Sequence, residues 1–215
     1  MRRIALLVVA ASLALTACQT SYPYYTNERP RPEARPGAAG TSPQPRPHGT
    51  VAVHRPPPSG PVGVLAENMA GPYMDGQEMD LRRRLREVRV ARIGNDIVLN
   101  LRSDILFRPG SHAISSEAAA TIEAVAGVLR RYDKTLIEVN GYTDTSGSAD
   151  LNLKLSQARA DAVADELVND GINPARISPR GYGETRLRIP TGDNVSEPRN
   201  RRVEIRILPH VAAQG

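Results

Sequence analysis

Apolar residues recur through the second half of the chain with two alternating periods. In "MDGQEMDLRRRLREV", Met74, Met79, Leu81 and Leu85 stand among charges and predict a short amphipathic helix. "VRVARIGNDIVLNL" follows, with two extended runs around Gly94-Asn95-Asp96, a hairpin signal. In "SSEAAATIEAVAGVLRRY", Ala118, Ile122, Val125 and Leu129 share one helical face, and Ser115 is placed to cap its start. "LIEVN" at 136–140 alternates as a strand. "GYTDTSGSADLNLKLSQARADAVADEL", 141–167, opens on the end of that strand, turns, and becomes a long helix that stops near Gly171. "RISPRGYG" predicts a further extended piece, and Val203, Ile205 and Ile207 alternate in a last strand. The resulting β-α-β-α-β-β order predicts an α+β fold, an α/β sandwich with helices packed on one mixed sheet.

The long helix breaks the pattern of an apolar buried face. With Leu155 at zero on a wheel of 100° per residue, Leu151, Ala158 and Ala162 fall within about 60° on one side. Val163 and Leu167 fall at about 80° and 120° on the other. Arg159 at about 40°, Asn152 at about 60° and Ser156 at about 100° lie inside this apolar arc. A guanidinium withdrawn from water needs a carboxylate or several acceptors.

Asp144 is the nearest candidate, fifteen residues before Arg159. It follows a strand end marked by Gly141; Gly147 permits a tight turn, and Asp150 is placed to cap the helix. The carboxyl end of a strand entering a helix is where open α/β sheets usually hold ligands. Two readings stand. Asp144 and Arg159 form an internal ion pair that locks the turn onto the helix. Alternatively, they flank a small zwitterion, with Asp144 accepting from its ammonium and Arg159 gripping its carboxylate. Thr143 and Asn152 would then hold the remaining groups.

The first residues carry a different pattern. Arg2 and Arg3 precede an apolar run from Ile4 to Leu15, too short to span a membrane and suited to a secretory signal over residues 1–17. It ends Leu15-Thr16-Ala17-Cys18, which resembles the bacterial lipobox and implies lipidation of the chain's single cysteine. Gln19 rather than Asp follows, which by analogy with lipoprotein sorting implies the outer membrane. From there to residue 71 the chain reads as a tether. Eleven of the eighteen prolines lie between Pro23 and Pro61, too dense for helix or central strand. At about 3.1 Å per residue in polyproline II, the forty-odd residues of 19–61 reach on the order of 130 Å when straight. Residues 72–95 read as a helix and strand lead-in, 96–209 as the globular domain, and 210–215 as a tail.

Composition narrows the chemistry. One cysteine rules out intramolecular disulfides, Cys₄ zinc and iron–sulfur sites. The formal charge of +5 falls by two once Arg2 and Arg3 are removed, and an exported protein is not expected to bind nucleic acid. The four histidines, 48, 54, 112 and 210, are scattered, and no H-E-x-x-H, G-x-S-x-G or S-x-x-K stretch occurs. An Asp144–Glu184 acid/base couple would be spoiled by Arg159 nearby, so no catalytic activity, cofactor or metal is expected.

Residues 97–208 resemble an OmpA-like peptidoglycan-binding domain, the module of peptidoglycan-associated lipoprotein. The pattern N-x₂-L-S-x₂-R-A-x₂-V-x₃-L is met without a gap by Asn152, Leu155, Ser156, Arg159, Ala160, Val163 and Leu167. "SDILFRPGS", "GYTDTSG", "GYGE" and "NRRVEI" match as well. The resemblance implies that Asp144 and Arg159 bind the diaminopimelate centre, with Thr143, Asn152, Tyr142, Leu155 and Arg201 around them. Tyr142 stands where the family often has His, and "GETRLRIPTGDNVSEPRN" departs from its commoner spacing. Of Arg201 and Arg202, Arg201 is expected to line the pocket. The implied protein is an outer-membrane lipoprotein whose domain grips peptidoglycan in the periplasm. The alternative is a docking lipoprotein whose main partner is another envelope protein, of Tol type or part of a secretion or assembly machinery.

Overall fold

The structure, a computed structural model, describes residues 59–108 and 110–212. The expected signal segment, Cys18 and the proline-rich tether up to residue 58 lie outside the described residues, and the last residues assigned to the tether, 67–71, are helical. Helix α1 (Glu67–Arg84) leads into strands β1 (Arg89–Ile93) and β2 (Asp96–Arg102), then α2 (Ser103–Leu106) and α3 (Ser116–Leu129). Strand β3 (Thr135–Tyr142), helix α4 (Ala149–Asn169), a 3₁₀ turn (Pro174–Arg176), β4 (Ile177–Gly181) and β5 (Arg202–Pro209) complete the order. The five strands form one mixed sheet in the order β1-β2-β5-β3-β4, with only β3 and β4 parallel. The α+β class and its β-α-β-α-β-β succession are as the periodicity predicts.

The sheet is one-sided, and its alternation shows why. Ile97, Leu99 and Leu101, Ile137 and Val139, and Val203, Ile205 and Ile207 point into one core with Ile122, Val125, Leu129, Val163 and Leu167 of the helices. The intervening positions Asn100, Glu138, Asn140, Glu204 and Arg206 face the other way, in register across β2, β5 and β3. Met74, Leu81, Leu85 and Val90 join the same core, so α1 and the β1–β2 hairpin pack with the elements that follow. Among the described residues no helix is long and apolar enough to cross a membrane.

Three local expectations change. Helix α1 starts at Glu67, seven residues before Met74, and carries Pro72 on its exposed side. Its buried positions are Ala70, Met74, Gln77 and Leu81, while Met79 faces solvent. The inward positions follow the helical period from Met74 through Gln77 to Leu81, and Met79 falls outside that stripe. Ser115 caps α3 as its sequence predicts, accepting from the Ala118 amide. Helix α4, however, is capped by Ser148, whose hydroxyl accepts from the Leu151 amide; Asp150 already lies within the first turn.

Candidate functional site

The site forms where β3 ends and α4 begins. Two glycines let the helix approach the sheet closely. A Cβ on Gly141 would stand 2.1 Å from the Ser156 carbonyl oxygen, and one on Gly181 would stand 2.4 Å from the Gln157 amide nitrogen. The polar face of α4 is spent on this seam. The Ser156 hydroxyl accepts from the Gly183 amide at 2.8 Å, and Gln157 Oε1 accepts from the Gly181 amide at 2.7 Å. The buried arc of α4 runs through Asn152, Ser156, Arg159, Ala160, Val163, Ala164 and Leu167. It is rotated away from Leu155, which is only partly buried, and Leu151 is 65% exposed. The wheel centred on Leu155 therefore misplaced the apolar centre, because Ser156 and Ala160 hold the helix nearer the sheet than a leucine could.

Asp144 is held by four donors. Oδ1 accepts from the amide and hydroxyl of Ser146; Oδ2 accepts from the Glu197 amide at 3.1 Å and from Arg201 Nη1 at 2.6 Å. Burial works to raise its pKa, but the Ser146, Arg201 and Glu197 donors outweigh this and hold the carboxyl below the usual range. Thr145 extends the grip. Its hydroxyl bonds Gly192 O at 2.6 Å and the Val195 backbone, and its carbonyl accepts from the Asn194 amide. The 143–147 turn thus clamps the loop at 191–201 over the end of the sheet.

Arg159 does not pair with Asp144. Its guanidinium lies over the Phe107 ring, 5.2 Å from the centroid, and Nε donates to the Ser111 carbonyl at 3.2 Å. Among the described residues it has no ion pair and no other hydrogen bond. The residue is only 6% exposed. Burial, reinforced by the Arg201 charge, lowers its pKa, and the field of Asp144 only partly opposes this. The internal Asp144–Arg159 ion pair, one of the two readings of the sequence, is not formed; Arg201 takes that place.

The other expected residues divide. Thr143 is buried with its hydroxyl unpartnered, and its amide donates to Gly183 O. Asn152 is occupied: its amide nitrogen reaches Asp144 O, Ser146 O and Glu184 Oε2. Glu184 is thereby tied to Asn152. Tyr142 lies apart from this cluster, stacked on Tyr182 at 5.3 Å and beneath the Arg202 guanidinium at 3.9 Å. Burial and the Glu204 charge push its phenol up to about 12. Arg202 is thus committed to Tyr142 and Glu204, leaving Arg201 at Asp144. Sequence reasoning missed Phe107, the Ser111 carbonyl, Ser146 and Glu197. The first two come from "SDILFRPGS", which was noted only as a motif.

A one-sided mixed sheet with a polar strand-to-helix turn of this kind defines the class. The chain matches the model described as OmpA family over residues 106–201. It is 35% identical over 216 residues to the probable lipoprotein YiaD of Escherichia coli (strain K12), an alignment covering 94% of this chain and 95% of that protein. The chain belongs to the OmpA family. Among solved structures it is similar to the cell wall anchor of the T6SS from Pseudomonas aeruginosa. That likeness has 32% identity and a TM-score of 0.52, and covers 60% of this chain and 96% of that one. The fold is also shared with a putative MotB like protein from Desulfovibrio vulgaris. There the identity is 23% and the TM-score 0.58, with 69% of this chain and 98% of that one covered.

Proposed function

We propose that the domain binds peptidoglycan noncovalently by gripping the free amino-acid centre of diaminopimelate in stem peptides. The observation that carries this is Arg159, a buried cation with one carbonyl acceptor and no anion. A planar guanidinium with unused donors is built to take a carboxylate in a bidentate manner. The ligand ammonium goes to Asp144 Oδ2, exchanging with Arg201, whose side chain is 31% exposed and so can move outward. The unpartnered Thr143 hydroxyl supplies a neutral partner beside them.

The wider role is mechanical. Acyl chains on Cys18 hold one end in the outer membrane, the proline-rich segment bridges the periplasm, and the domain grips the wall. Modest affinity per site suffices, because many copies act on one polymer and membrane confinement raises the effective concentration. Binding and release involve no bond cleavage. Sedimentation with purified sacculi tests the reading. Wild type is expected to co-sediment while Asp144→Ala and Arg159→Ala stay in solution. Full sedimentation of both variants would sink the pocket assignment.

A further inference from the structure

A cavity of about 410 Å³ opens elsewhere on the domain, between the ends of β1 and β2, helices α2 and α3, and the far side of the 188–199 loop. None of Thr143, Asp144, Asn152 or Arg159 lines it. Its floor is apolar, made by Val88, Leu101, Ile105, Leu106, Ala118 and Pro198. Ile105 is left 54% exposed, although Leu106 beside it is fully buried.

Around that floor stand five arginines, at 89, 102, 188, 199 and 202, against one carboxylate, Glu87. Three are balanced within the fold: Arg102 by Asp104, Arg199 by Glu197 and Arg202 by Glu204. Arg89 and Arg188 are exposed and have no carboxylate partner among the described residues. The cations do not converge on one point. Arg89 sits on the edge strand β1 opposite Asn100, and Arg102 and Arg202 face each other on β2 and β5. With neighbouring strands about 4.8 Å apart, this stripe runs roughly 10 Å across the sheet before Arg188 extends it.

We infer that this cavity docks an acidic, extended segment of a protein partner, with one apolar side chain filling the floor and carboxylates lying along the arginine stripe. A spread row of cations suits a chain of carboxylates better than a single head group. An apolar pocket rimmed by arginine is where interface anchors concentrate. The cavity shares no residue with the proposed wall site, so the domain can hold both ligands together. The proposal stands whether or not the wall-binding reading survives.

Fluorescence anisotropy with the full chain and short labelled peptides tests it. The probe is an Asp/Glu-rich peptide with one central leucine. Its controls carry Leu→Ser or lysines in place of the acids, and anionic phosphatidylglycerol vesicles form a separate arm. Saturable binding of the acidic leucine peptide is expected. It should weaken at least tenfold with the Leu→Ser peptide and with Arg89→Glu or Arg188→Glu protein, and vanish with the lysine peptide. Both protein variants should keep the circular dichroism spectrum and melting temperature of wild type, which shows that they are folded whether or not the domain binds sacculi. No binding, equal binding of the Leu→Ser peptide, or binding to vesicles alone would overturn the proposal.

Discussion

Arg159 and Arg176 are buried almost equally, at 6% and 4% exposure, and neither has an ion pair among the described residues. Their surroundings differ completely. Arg176 makes four hydrogen bonds, reaching Thr135 O at 2.7 Å, Leu129 O at 2.9 Å, Tyr132 O at 2.8 Å and the Thr135 hydroxyl at 2.8 Å. It ties the end of α3 to the start of β3. Arg159 makes one hydrogen bond and rests on an aromatic ring. Burial lowers the pKa of both, but Arg176 is compensated by four hydrogen bonds within the fold and Arg159 by one. Arg176, with its donors used, is part of the architecture; Arg159, with most of its donors idle, is the cation to which the proposed function assigns the ligand carboxylate.

The contrast is broken most directly by exchanging each arginine for methionine. Arg176→Met takes the guanidinium from the Thr135 and Leu129 carbonyls, while Tyr132 O keeps the Thr135 hydroxyl, and should cost about 3 kcal/mol of stability, from roughly 1–3 kcal/mol per unsatisfied buried group. Thermal unfolding should drop by about 10 °C, read by circular dichroism, at about 2–4 °C per kcal/mol for a domain of this size. Sacculus binding by the molecules that remain folded should not change. Arg159→Met should do the reverse. Losing a charge-assisted contact worth about 1.5–3 kcal/mol lowers wall affinity roughly tenfold to a hundredfold, while the melting temperature stays near that of wild type.

Asp144→Asn is expected to have an intermediate effect on both readouts. It removes the charge proposed to receive the ligand ammonium, and it weakens the hold on Glu197 and Arg201. Limited proteolysis should cut faster within 191–197, and sedimentation should fall without vanishing. The pH dependence has a definite sign. The folded carboxyl titrates below its unfolded value of about 3.9, so its contribution is whole above that pH and is lost as pH falls through the folded value. Wild type should therefore lose stability more steeply below pH 4 than Asp144→Asn, in urea titrations run at stepped pH.

The smallest effect is expected at Tyr142. It lies with Tyr182 and Arg202, apart from Arg159, so Tyr142→His should shift wall affinity by less than about twofold. The ring's stack would suffer more than the site. A large loss of sedimentation for this variant would show that the Tyr182–Arg202 stack reaches the ligand after all.

Much of the architecture was legible because it rests on short-range rules. The hairpin, the Ser115 cap and the alternation of Val203, Ile205 and Ile207 are each decided within a few residues. The site was legible only in outline. Asp144 and Arg159 could be singled out as a turn carboxylate and an inward-facing charge, but their partners could not. Arg201 reaches Asp144 across 57 residues and Glu197 across 53. Ser111 meets Arg159 across 48. No local periodicity encodes contacts of that separation. The placement of α4 failed for a related reason: it depends on Gly141 and Gly181, which admit the helix backbone but leave no apolar signal.

The most direct test is an NMR titration of the full chain with a muropeptide carrying diaminopimelate, following the two arginine Nε–H groups. The account predicts that Arg159 Nε–H and the amides of Thr143, Asp144 and Ser111 shift and saturate together, while Arg176 Nε–H stays fixed. It predicts further that amidating the free carboxylate of the ligand abolishes the Arg159 response. A saturable interaction that leaves Arg159 unmoved, or that persists unchanged in Arg159→Met, would contradict it.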